Sequence, residues 1–127
     1  MIKIAILGAS GYTGLELLRI LAVHPQANVK MITSRRYQGK PAGEVFPSLG
    51  TYYPGLKFSA PEEYKNCDAD IVFTALPHGA SQEVVPDLLN AGKRVIDLSA
   101  DYRLKDPATY SAWYGEHAST ELLKEAV

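Results

Sequence analysis

Three glycines at every third position, in Gly8-Ala9-Ser10-Gly11-Tyr12-Thr13-Gly14, follow directly on the apolar run Ile2-Lys3-Ile4-Ala5-Ile6-Leu7 and lead into Leu15, Leu17, Leu18 and Leu21. That order predicts strand, tight turn, helix. Glycine permits positive φ and a close backbone approach, and a helix starting there offers free N–H groups and the positive end of its dipole. Such a turn suits a pyrophosphate, so Gly8, Ser10, Gly11, Tyr12, Thr13 and Gly14 are the first candidate cofactor-binding residues. The spacing is G-x-x-G-x-x-G rather than G-x-G-x-x-G, and the flanking strand and helix carry the assignment. The plain alternative is a glycine turn that joins strand to helix and holds nothing.

The first strand is apolar except for one lysine, as expected of a strand covered on both faces. A helix is predicted from about Tyr12 to Val23, ending at His24-Pro25 because the residue before proline leaves helical geometry. Asn28 to Thr33 forms a second strand. From Ser34-Arg35-Arg36 to about Pro54 the chain is rich in Gly, Pro and Tyr and reads as a loop with room for short strands. A short helix near Pro61 to Lys65, a strand Ile71 to Leu76, a helical segment Gly79 to Ala91 interrupted by Pro86, and a strand Arg94 to Leu98 follow. Repeated β-α-β units predict an α/β fold, a Rossmann-type doubly wound parallel sheet forming one domain over 1–127. The residues from Asp106 onward read as helical with no stop signal and no further strand, so the chain is expected to be part of a longer subunit.

Thirteen Lys+Arg against fourteen Asp+Glu leave a formal charge of −1, so no global field attracts nucleic acid or a membrane surface. Phosphate recognition must be local. No segment is long and apolar enough to span a bilayer, and a single cysteine, Cys67, fits a reducing cytoplasm. The histidines His24, His78 and His117 have no ligand spacing with Cys67, so no metal site is assigned.

Dinucleotide folds specific for NAD place an acid at the end of the second strand, for the ribose 2′-hydroxyl. Here Thr33-Ser34-Arg35-Arg36 occupies that place. Hydroxyls and guanidiniums fit a 2′-phosphate, which favours NADP and nominates Ser34 and Arg35; solvated surface arginines are the alternative. Leu76, Pro77, His78 and Gly79 lie past the carboxyl end of a strand, where ligands bind in open α/β sheets, and complete the cofactor candidates. Cys67 precedes that strand among acids, at the opposite edge, which argues against a nucleophile. Tyr53 and Lys57 have Tyr-x-x-x-Lys spacing, but Pro54-Gly55 between them forbids the helix that short-chain dehydrogenases need. Asp101 and Arg103 lie past the last strand and fit either a mutual hydrogen bond or a substrate contact.

Taken together, Gly8 to Arg19, Thr33-Ser34-Arg35, Ala75 to Gly79, and Val95 to Leu104 closely resemble the N-acetyl-γ-glutamyl-phosphate reductase family. A lysine-pathway reductase acting on carrier-bound aminoadipate shares much of the pattern, and aspartate-semialdehyde dehydrogenase is more distant. The resemblance implies reduction of an acyl phosphate to an aldehyde in arginine biosynthesis. In that family a cysteine attacks the acyl phosphate, phosphate leaves and NADPH delivers hydride. It also implies a homo-oligomeric longer subunit with a separate substrate domain. The family's Pro-Gly-Cys motif and later catalytic histidine do not occur among these residues. The expectation is therefore a cofactor domain that binds NADP without turnover, with no catalytic residue of its own. The rival reading is a free-standing NADP sensor.

Overall fold

The computed structural model describes residues 1–76 and 81–98. Pro77, His78 and Gly79, Asp101 and Arg103, and the helix read beyond Asp106 lie outside the described residues.

Strand β1 (Ile2–Leu7) alternates its side chains so that Ile4 and Ile6 enter one core while Ala5 and Leu7 enter another, all 5% exposed or less. A strand buried on both faces needs neighbours on both edges. It has them: β2 (Ala27–Thr33) pairs along one edge and β4 (Ile71–Thr74) along the other. With β3 (Phe58–Ser59) and β5 (Arg94–Asp97) outermost, the sheet is parallel throughout, in the order β3-β2-β1-β4-β5. Strand order reverses direction beside β1, which opens a crevice at the carboxyl ends of β1, β2 and β4.

Helix α1 (Tyr12–Ala22) covers the Ile4 and Ile6 face, where Leu18 packs with Ile32. It ends at Val23, as His24-Pro25 requires. Helix α3 (Ser81–Asn90) covers the other face, where Leu88 joins Ala5, Leu7 and Val72. The sheet is therefore wound on both sides, as the sequence predicts.

Several elements differ in detail from expectation. Helix α3 is not interrupted: Pro86 lies inside it, because the buried Val85 and Leu88 on either side hold the helix through a residue that lacks an N–H. The stretch from Ser34 to Pro54 is not plain loop; it contains helix α2 (Ala42–Val45) and a 3-10 turn (Pro47–Leu49), while β3 lies beyond it. Buried Ala42, Leu49 and Phe58, with Tyr37 and Phe46 against them, order this segment in spite of its turn-rich composition. Pro61–Asn66 is a 3-10 helix, and β4 and β5 stop at Thr74 and Asp97. Tyr53 is no helical partner of Lys57. Its hydroxyl donates to the Leu18 carbonyl at 2.6 Å, and burial pushes its phenol up to about 12.

Candidate functional site

A cleft of about 700 Å³ opens at the carboxyl edge of the sheet. The glycine turn forms its floor, the residues after β2 one side, and the 3-10 helix with the start of α3 another. Gly8, Ser10, Gly11, Tyr12, Thr13, Ser34, Arg35 and Leu76 all line it. Gly14 lies behind it, buried.

The three glycines do different things. Gly8 has φ +78°, and a Cβ there would meet the Ala75 carbonyl oxygen at 2.7 Å. Gly14 has the Ala9 carbonyl oxygen 2.1 Å from where its Cβ would stand, so it sets how closely α1 approaches the turn. Gly11 has no such reason: its φ is −90°, and nothing lies within 4 Å of a Cβ built on it. The open space above Gly11 is therefore available to a ligand. Leu15 makes the first backward hydrogen bond of α1, to the Gly11 carbonyl at 3.0 Å, leaving the N–H groups of Tyr12, Thr13 and Gly14 without intrahelical acceptors. No acid stands in the first turn to neutralise that end. A diphosphate fits both the space and the polarity.

The turn is braced by the end of β2. The Gly8 N–H donates to Thr33 Oγ1 at 3.0 Å, and the Ala9 N–H to the Thr33 carbonyl at 2.9 Å. Thr33 is 1% exposed. Thr33→Val leaves the half-buried Gly8 N–H without its acceptor, and the expected loss is about 1–2 kcal/mol of stability. A lower urea midpoint at unchanged slope checks this. The Ser34 hydroxyl donates to Ser10 Oγ at 3.1 Å and accepts from the Tyr37 N–H at 3.2 Å. Sequence reasoning nominated Ser34 as a ligand contact, and the structure shows it also joining the two loops that line the cleft.

Arg35 and Arg36 are both exposed and both line the cleft. The Arg36 guanidinium lies 5.2 Å from the centre of the Tyr37 ring, a cation–π distance. Arg35 has no ion pair or hydrogen bond among the described residues, and the carboxylates that line the cleft, Glu62 and Glu83, come from the 3-10 helix and α3 rather than from the residues directly after β2.

The opposite wall went unread in the sequence. Pro61, Glu62, Tyr64, Glu83 and Val84 belong to it, brought together by the 3-10 helix and α3. The Tyr64 hydroxyl donates to Asp87 Oδ2 at 2.6 Å, joining the two elements. Burial first, then that bond and the charges of Asp87 and Glu83, push its phenol up to about 12. The only signal in the sequence was a short helix starting at a proline, with nothing to say which neighbour it meets.

Cys67 is buried at the amino edge of the sheet, packed with Ala69 and Val72. Burial raises its thiol pKa, Asp68 adds to this and Lys93 opposes it. The chemistry expected is that of an inert core thiol. Iodoacetamide at pH 8 is expected to label it at least about tenfold more slowly in the native chain than in urea; equal rates would show an open thiol. Among the described residues no group of His, Cys, Asp and Glu has the arrangement to hold a metal ion, and no helix is long and apolar enough to cross a membrane.

Residues 3–120 match the family described as semialdehyde dehydrogenase, NAD binding domain. Proteins named N-acetyl-gamma-glutamyl-phosphate reductase from Geobacter sulfurreducens and Syntrophobacter fumaroxidans are 56% and 53% identical over the whole chain. The chain spans 37% of the length of each. Among solved structures, an aspartate semialdehyde dehydrogenase with NADP from Candida albicans aligns at TM-score 0.62 and 21% identity, over 81% of this chain and 31% of that one. A myo-inositol dehydrogenase from Corynebacterium glutamicum aligns at TM-score 0.62 and 17% identity, over 98% and 33%. These two share the fold. With the glycine turn, the sheet order and the cleft in agreement with the match over residues 3–120, the chain belongs to the semialdehyde dehydrogenase NAD binding domain family.

Proposed function

We propose that this chain is the NADP-binding part of an N-acetyl-γ-glutamyl-phosphate reductase. The observation that carries the cofactor is Arg35, unpaired among the described residues and lining the cleft at the end of β2, where an NAD-specific site has an acid. The curated relatives, 49–56% identical over its length, support the substrate. When bound, NADPH supplies the hydride that takes an acyl group to the aldehyde. The chain's own residues hold and orient it. Gly11 leaves room for the diphosphate, the free N–H groups of α1 meet its charge, and Arg35 with Ser34 receives the 2′-phosphate. Leu76 adds to the cofactor wall.

The length of the curated relatives, of which this chain spans 37%, supports a longer working protein over a free-standing sensor. We place the enzyme in the cytoplasm as a homo-oligomer, in keeping with its biosynthetic relatives.

Fluorescence titration tests the first half: the chain should bind NADPH and, alone, should not oxidise it with N-acetyl-γ-glutamyl phosphate. The same sequence within a subunit of its relatives' length should turn over. Turnover by the isolated chain would overturn the domain reading and reinstate Cys67. A full-length enzyme that accepts only a carrier-bound aminoadipyl phosphate would move the substrate to the lysine pathway.

A further inference from the structure

The cleft is charged unevenly. Arg35 and Arg36 line the side after β2, and the wall that starts at Pro61, two residues past the Ser59 carbonyl that accepts from the Ser34 N–H, and continues on α3 contributes two exposed carboxylates, Glu62 and Glu83, and no cation among the described lining residues. An ionised carboxylate repels phosphate and can only accept hydrogen bonds. This wall therefore suits an uncharged part of the ligand that donates. Pro61, Val84 and Leu76, each half-buried, add apolar surface of the kind that covers the face of a flat ring. The bond from Tyr64 to Asp87 at 2.6 Å ties the element bearing Glu62 to the element bearing Glu83, so the backbones that carry the two acids are joined before a ligand arrives. It also uses the one proton of the Tyr64 hydroxyl, so the polar side chains of this wall can only accept from a ligand.

Resting on the NADP reading above, the geometry points to a base-specific wall: Glu62 and Glu83 accept from the exocyclic amine of adenine while Pro61, Leu76 and Val84 cover its ring. Both glutamates also lie in first helical turns, where an acid stabilises the helix whatever the ligand. The test must separate these roles. Reduced nicotinamide hypoxanthine dinucleotide phosphate replaces the amine with a carbonyl, which would face the carboxylates. The parent chain is expected to bind it about tenfold more weakly than NADPH. In the double variant Glu62→Gln and Glu83→Gln the amide donates to that carbonyl, and the gap should close to about threefold or less. A gap that persists while the melting temperature falls would assign the glutamates to their helices alone and overturn the proposal. Equal weakening of both dinucleotides would assign them to ribose hydroxyls, with the same result. Tight NADPH binding with no gap in the parent overturns the proposal and leaves the NADP reading standing; binding of neither dinucleotide overturns both.

Discussion

Gly14→Ala is expected to destabilise the chain by about 3 kcal/mol or more, while Gly11→Ala changes stability by less than about 1 kcal/mol yet weakens NADPH at least about tenfold. The same methyl group is added in each case. At Gly14 it would stand 2.1 Å from the Ala9 carbonyl oxygen, a backbone atom of the turn that cannot rotate aside. The gain of about 1 kcal/mol that alanine brings to a helix interior is too small to offset that clash. At Gly11 the added carbon meets nothing, and φ −90° is open to any residue; the small cost is a poorer helix start. The carbon would, however, fill the space above the free N–H groups. Urea denaturation and fluorescence titration of both variants give four numbers that must fall in this crossed pattern. A Gly11→Ala chain that binds NADPH like the parent would show that no ligand approaches there.

Arg35→Ala should weaken NADPH by about 10- to 150-fold and leave NADH nearly unchanged, since a charged hydrogen bond contributes roughly 1.5–3 kcal/mol. Among the described residues its guanidinium has nothing to lose but the ligand. Arg36→Ala should cost less, because that guanidinium is already engaged over the Tyr37 ring. The site is open to solvent, so raising salt should narrow the NADPH advantage of the parent and not of the Arg35→Ala chain. Equal affinity of the unmutated chain for NADPH and NADH would remove the 2′-phosphate assignment altogether.

The parts of the fold legible in the sequence were those governed by local rules. β1 is almost wholly apolar, α1 begins at a glycine and ends at His24-Pro25, and Arg35 follows β2; each is a short-range pattern with one physical reading. The parts that escaped depend on partners far away in the chain. α3 continues through Pro86 because its apolar residues are buried against β1 and β4, which no local propensity records. Ala42, Leu49 and Phe58 order a segment whose glycines and prolines spell loop. The acidic wall is of the same kind: Glu62 and Glu83 are 21 positions apart, and their elements meet through the Tyr64 to Asp87 bond and a shared core cluster.

On the proposed reading, the hydrogen bond from Ser34 to Ser10 would make the cleft a chelator. The two proposed anion seats, one on the glycine turn and one beside Arg35, would sit on loops clasped to each other, so a dinucleotide that had settled one phosphate would present the other at high effective concentration. Its second attachment would then cost little further ordering. A ligand with only one phosphate would forgo that advantage at either seat, so the clasp itself would help the domain select a molecule that carries a 5′-diphosphate and a 2′-phosphate on one ribose.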